Sequence, residues 1–431
     1  MVPSISRRAL LRGVAAGVAS TAGVGAARAA DSEPPERAWS HQYGPDGESL
    51  FHDAVATRDG GYLFVGNVGY DASQALAVKT DPWGVTDWTR TYDADNAYFE
   101  TALEIEDGYL LAGATNLSTD TLEPDESDGW VVRIGEHGAV RWKERYSPKP
   151  NTNFAAVTRT PSGFLFAGTT GPSDPDSDRN AGWLFATSEN GSRRWSQTYS
   201  PSTWHNVTCL AGHDDRYVFG GSTGLDHGST EDGWTVAVDS EGNELWNRTY
   251  GRSHGGDRIE DLLATPDGGY LFAGVTDFSR DDHGIAWLGR LRADGTVAWK
   301  RTYDDHGEWA WIDGLARLGD GYVLAGEREP KQTDKRGTWL LGLDSNGSVN
   351  WRETYIVTYE SVGAVTTSDD GGIVVAGSSG GVGGSAWATK VGGERVSLDW
   401  NAASPSSLSA SVGLAALGAG AFVGLSERFR Q

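Results

Sequence analysis

The chain has 431 residues, including 59 glycines and 18 tryptophans, and its 59 acidic residues outnumber 36 basic ones for a formal charge of −23. That balance excludes a generic nucleic-acid binder, which needs a basic stripe against phosphates. Cys209 is the only cysteine, so no intrachain disulfide can form, and a lone thiol reads as a small buried apolar residue.

The first element is a leader over residues 1–29. Ser6-Arg7-Arg8-Ala9-Leu10-Leu11-Arg12 has the layout of a twin-arginine export motif. A small, apolar stretch from Gly13 to Ala27 follows, and Ala27-Arg28-Ala29 offers small residues at the two positions a signal peptidase reads. The stretch is too short and too weakly apolar to stay in a membrane. Residues 30–37 form a linker.

One pattern then recurs seven times. Trp-x-x-x-Tyr stands at Trp39/Tyr43, Trp88/Tyr92, Trp142/Tyr146, Trp195/Tyr199, Trp246/Tyr250, Trp299/Tyr303 and Trp351/Tyr355. A second marker, an aromatic or aliphatic residue four positions before a glycine, runs Tyr62–Gly66, Tyr109–Gly113, Phe164–Gly168, Tyr217–Gly221, Tyr270–Gly274, Tyr322–Gly326 and Ile373–Gly377. A third segment opens with Trp130, Trp183, Trp234, Trp287, Trp339 and Trp387, with Leu76 in the first repeat.

Each unit reads as four strands. In the fifth these are Asp261 to Thr265, Tyr270 to Val275, Ala286 to Arg292 and Val297 to Tyr303. Pro266-Asp267-Gly268-Gly269 turns between the first two, and Asp294-Gly295 is a hairpin signal between the last two. Period-two alternation puts Trp299 and Tyr303 on one face, an aromatic ledge for the neighbouring sheet. A lone sheet of this kind has two apolar faces and two open edges, and radial stacking buries the faces. The last repeat lacks a fourth strand and the strand Trp39–Tyr43 lacks preceding partners, so the two should combine. The expectation is one all-β domain over residues 38–393: a seven-bladed β-propeller, four antiparallel strands per blade, closed by its first strand.

After a linker over 394–407, Leu408 to Leu425 is apolar, small and uncharged. As a helix it would span about 27 Å, slightly under the ~30 Å of a hydrocarbon core. It reads as a C-terminal transmembrane or sorting helix holding the exported body at the cell surface. Arg428 and Arg430 lie in a cytoplasmic tail over 426–431.

Asp239-Ser-Glu-Gly242-Asn-Glu-Leu-Trp246 and Asp344-Ser-Asn-Gly347-Ser-Val-Asn-Trp351 resemble the quinoprotein-like propeller repeat. There, Asp, Gly and Trp mark a hairpin that docks on the next blade. The larger unit resembles repeats of secreted, surface-anchored propellers, and the acid-rich, Lys-poor composition with its leader is similar to haloarchaeal exported proteins. The resemblance implies a fold. Quinone-dependent dehydrogenases usually have eight blades, calcium and adjacent cysteines, which this sequence does not match.

Strand parity places short turns on one face and long, variable loops on the other, where binding is usually built. The expected binding residues there are Trp204, His205, His254, Asp257, Arg258, His306, Trp309 and Trp311. Aromatic rings beside His, Asp and Arg can stack on sugars or take a protein ligand. The leading expectation is a cell-surface binding or scaffolding propeller. An extracellular polysaccharide hydrolase or lyase is the alternative, and a purely structural envelope component the third. No cofactor is expected. Acidic runs such as Asp125-Glu126-Ser127-Asp128 could bind calcium, although their spacing is not that of an EF-hand. Asn116, Asn190, Asn206, Asn247 and Asn346 begin N-glycosylation sequons. No nucleophile triad, phosphate loop or zinc spacing supports catalysis.

Overall fold

The computed structural model describes residues 25–26 and 33–393, apart from 45–47, 70–72, 93–95, 118–126, 173–179, 200–203, 225–230, 252–254, 279–283, 304–308, 330–336, 358–359 and 380–383. The C-terminal helix expected over 408–425, with its linker and tail, lies outside the described residues, as does nearly all of the leader.

Seven antiparallel sheets of four strands follow one another along the chain, and Gly25–Ala26 adds a two-residue parallel pairing at the edge of the fifth. The first blade comprises Ser49–Ala56, Tyr62–Val68, Gln74–Thr80 and Thr86–Tyr92. The next five blades keep this order. The seventh takes Glu360–Thr367, Ile373–Ser379 and Ser385–Val391 from the far end, and Arg37–Tyr43 pairs antiparallel to Ser385–Val391 as its fourth strand. The protein is thus an all-β, seven-bladed propeller.

The Trp-x-x-x-Tyr marker is the fastening between blades. Tyr43, Tyr92, Tyr146, Tyr199, Tyr250 and Tyr303, each on a fourth strand, donate hydroxyl hydrogen bonds of 2.7–3.1 Å into the following blade. The acceptors are the carbonyls of the hairpin glycines Gly84, Gly138, Gly191, Gly242, Gly295 and Gly347. The indoles of Trp39, Trp88, Trp195 and Trp246 donate to a carbonyl two residues earlier in the same hairpins, at 3.0–3.2 Å. Glycine is required at these hairpins for two reasons. At Gly295 φ is +77°, and an added Cβ would press on the Trp246 ring.

The seventh blade has no such hairpin, because its third and fourth strands come from opposite ends of the chain. Tyr355 of the sixth blade donates instead to the Pro35 carbonyl, and Gly392 N donates to Glu36 O at 2.8 Å. The tryptophans that open the third strands fill the space between sheets. Trp130, Trp183, Trp234, Trp287, Trp339 and Trp387 are all buried.

The second marker has a different cause. In every blade the first strand carries a bulge, and the residue just before it pairs with the marker glycine, as Phe51 does with Gly66 and Ile312 with Gly326. A Cβ on that glycine would run into a carbonyl oxygen of the bulged strand, that of Trp311 in the case of Gly326. On the short-turn face, cations ending the third strands pin the turn carboxylates within a blade. Lys79 meets Asp59 at 2.8 Å, Arg133 meets Asp107 at 2.6 Å and Lys390 meets Asp370 at 2.6 Å.

Two substitutions separate these roles. Tyr303→Phe leaves the Gly347 carbonyl without its donor and should lower unfolding free energy by about 1–2 kcal/mol. Gly326→Ala forces the bulge apart and should cost more than Tyr303→Phe in denaturant melts. Equal tolerance of both would contradict the assignment.

Candidate functional site

The first strands of all seven blades surround one cavity of about 860 Å³. A bulge inserts one extra residue and re-aims its side chain. Here the inserted residues are His52, Glu100, Ala155, Thr208, Glu260, Asp313 and Gly363, and all seven line the cavity. The residue before each is a core side chain: Phe51, Phe99, Phe154, Val207, Ile259, Ile312 or Val362. Backbone and lining are therefore decoupled. The repeat fixes the bulge, and the inserted side chain is free to vary.

Among the described residues, six carboxyl groups line the cavity (Asp53, Glu100, Glu260, Asp261, Asp313 and Asp369), with His52 and neither Lys nor Arg. Two of them are structural. Asp53 accepts the amides of Ala54 at 2.7 Å and of Ala102, in the next blade, at 2.9 Å. Asp261 likewise accepts Leu262 N at 2.6 Å and Leu315 N, again across a blade boundary, at 2.8 Å. Glu100 lies 3.5 Å from the His52 ring.

Glu260 and Asp313 are different. Burial, with Glu231, Glu100 and Asp261 reinforcing it and Arg258 opposing it, pushes the Glu260 carboxyl from 4.5 to about 7. Burial, then Glu327 and Glu260, pushes the Asp313 carboxyl well above its ordinary range. Asp313 Oδ2 is shielded from solvent and makes no hydrogen bond. Asp261 is also raised to about 7 by burial, even though two backbone amides favour its charged form.

Above this level, at the long-loop mouth, Arg258 is held by Glu231 of the preceding blade. Its Nε and Nη2 donate to the two Glu231 oxygens at 2.6 and 2.9 Å, and Glu231 is fully buried. The guanidinium lies 4.8 Å from the Phe278 ring centre and 5.9 Å from that of Trp311. Trp309 meets Trp311 edge to face at 6.5 Å, and both are half-buried. Of the residues expected at this face, Arg258, Trp309 and Trp311 thus come together.

The structure buries two others. His205, 2 % exposed, packs on Trp234 with ring centres 4.4 Å apart, and its amide donates to Asn180 O. Asp257, fully buried, accepts the Thr276 hydroxyl, while its amide bonds Glu231 O at 2.8 Å. His205 sits one residue before Asn206 of the cavity lining, so alternation turns it into the sheet, whereas Asp257 lies at a register shift between Gly256 and Arg258. Trp204 opens its strand, its side chain outside the described residues; His254 and His306 lie outside them too, as does most of the long loops.

Sequence reasoning missed the bulge residues. The signal was present: each stands thirteen or fourteen residues before its marker glycine, as Glu260 does before Gly274 and Asp313 before Gly326. Among the sequons, Asn116, Asn190 and Asn346 are exposed. Asn206 instead lines the cavity, and Asn247 accepts the Trp234 indole at 2.8 Å. Cys209 is buried, and burial pushes its thiol well up, away from the reactive thiolate. Among the described residues, no three His, Cys, Asp or Glu side chains stand close enough to share a metal ion.

No protein-family model matches the chain, and no curated protein sequence matches it significantly. Solved structures do resemble it. A structure of YCF48 bound to D1 peptide superposes with a TM-score of 0.50 at 11 % identity, over 86 % of this chain and 98 % of that one. Sqt1 from Chaetomium thermophilum gives a TM-score of 0.45 at 11 % identity, covering 80 % and 83 %. At these identities the likeness is one of fold.

The raised Glu260 carboxyl has a thermodynamic consequence. The folded state holds this proton between pH 4.5 and about 7 while the unfolded chain releases it, so this contribution to stability falls as pH rises through that window. Glu260→Gln, which mimics the protonated form, should melt a few degrees above the parent at pH 8 and together with it near pH 4.5. A variant less stable than the parent at pH 8 would refute this account of the group.

Proposed function

We propose that this protein is a binding propeller that takes a segment of a partner protein at the long-loop mouth of its central cavity. Its leader would export it by the twin-arginine route, and residues 408–425 would hold it at the cell surface. The observation that carries the reading is Trp309, a half-buried indole that opens the strand Trp309–Leu318, four residues before Asp313 in the polar, acid-lined cavity. Large aromatic side chains in such rims commonly anchor protein partners. Arg258 and Phe278 pack against Trp311, and Trp309 stands next to this cluster on the strand. Stacking and one fixed cation give the rim chemistry suited to recognition, with rigid strands beneath it. YCF48, described with a bound peptide, is a propeller that holds a chain segment.

A photo-crosslinking residue placed at position 309 in cells should capture one envelope protein. Trp309→Ala should weaken binding of that protein at least about tenfold while the variant still melts cooperatively, because Trp309 lies outside the fully buried core. Undiminished binding would reject the rim, and selective retention on a glycan array would shift the ligand from protein to sugar. Replacing Arg7 and Arg8 together by Lys should leave the propeller inside the cell, as read by protease shaving of intact cells.

A further inference from the structure

The acid excess of the outer surface can be assigned to solvation, but solvation does not explain carboxylates turned inward. Each cavity carboxylate can be asked what satisfies it. Asp53 and Asp261 are saturated by backbone amides, and Glu100 faces His52. Glu260 and Asp313, carried by the bulges of the adjacent fifth and sixth blades, are left over. Asp313 Oδ2 is closed off from solvent without any donor. Arg258 donates to Glu231 and acts on Glu260 through its charge, without a hydrogen bond to either carboxyl. A buried carboxylate without a donor is costly and persists where something else supplies the donor.

We infer that the cavity at the level of the bulges is a receptor site for an organic cation, the guanidinium or ammonium of an Arg or Lys side chain, held between Glu260 and Asp313. This rests on the reading that a partner's segment enters at the long-loop mouth, and it names the feature of that segment the cavity selects. A cavity of about 860 Å³ has room for such a side chain in extended form. Among the described residues its lining carries six carboxyl groups and neither Lys nor Arg, so the charge those carboxyls can carry is met by no lining cation other than His52. A metal ion fits less well, because among the described residues no three acidic or histidine side chains converge on one point. A guanidinium does not require convergence, since its planar fork of five donors reaches separate acceptors.

The test uses the full propeller and two small probes, acetyl-tetraarginine amide and acetyl-tetraglutamate amide, titrated calorimetrically at about 1 M salt. There, exposed charges are screened within ~3 Å and non-specific attraction to an acidic surface is suppressed. The arginine probe should bind the parent and the glutamate probe should not. Glu260→Gln combined with Asp313→Asn should weaken the arginine probe at least about tenfold. The melting temperature should stay level or rise, because both changes remove a carboxyl whose ionisation burial opposes. Only two charges out of a net −23 are altered, so a loss of that size reports the site and not the overall charge.

Absence of binding to the parent, or equal binding by the double variant, overturns the inference. Calcium binding that disappears in the same variant also overturns it, in favour of a metal site. The mouth reading is tested apart by Trp309→Ala. Tetraarginine bound, with the cellular partner indifferent to Trp309→Ala, rejects the mouth and keeps the cation site. Tetraarginine unbound, with the partner lost in Trp309→Ala, does the reverse.

Discussion

The molecule depends on a contact that crosses from one blade to the next: an aromatic ledge on a fourth strand, and a glycine hairpin of the following blade resting on it. Most ledges supply a buried phenol that must find an acceptor, and the hairpin carbonyl is the acceptor within reach. The glycine satisfies two demands at once, a positive φ for the turn and no Cβ against the indole. Because donor and acceptor belong to different sheets, the contact fixes the spacing between blades as well as the fold within them. At the seventh blade the hairpin is replaced by the segment around Pro35 and Glu36, so the chain's opening residues perform the task a turn performs elsewhere.

A second constraint sits at the axis. A bulge at the same place in each first strand turns one residue out of the ladder, and the marker glycine opposite accommodates the backbone that the bulge brings close. Side chains before the inserted residue are core and invariantly apolar, whereas the inserted residues run from Gly363 to Glu260. The scaffold therefore tolerates any chemistry at the axis. What it displays is asymmetric: small or uncharged side chains in the third, fourth and seventh blades, and carboxylates in the second, fifth and sixth. A ring built from near-identical parts thereby acquires a chemically uneven lining, with two acidic bulges side by side only in the fifth and sixth blades.

The fold was legible because its determinants are local and repeated. Trp246, Tyr250, Gly274 and Trp287 recur in register, and each has one physical reason to be what it is. Strand starts were less legible. The first strand of the fifth blade begins at Gly256, five residues before the expected Asp261, since loop-like residues enter the ladder through pairing that propensity does not reveal. The site was legible in its rim and not in its depth. Arg258, Trp309 and Trp311 could be chosen by type, whereas the partner that orients Arg258 is Glu231, supplied by another blade. His205 and Asp257 share that chemistry, but period-two alternation carries His205 inward and a register shift buries Asp257. Glu260 and Asp313 escaped attention because a bulge adds one residue without disturbing the composition of a strand.

Charge placement links these two levels. A surplus of carboxylates on a surface costs little in concentrated salt, where screening is short-ranged and water remains available. Asp313 departs from this, because its Oδ2 is shut away from water without a donor, and burial raises the carboxyl of the half-buried Glu260 beside it to about 7. Substituting amides at these two positions would keep the volume and remove the penalty, and the bulge that carries them accepts Ala155 and Gly363 elsewhere in the same ring. The backbone does not demand an acid there, and neither does packing. A positive charge entering the cavity beside Glu260 and Asp313 would offset a penalty that neither fold nor solubility requires.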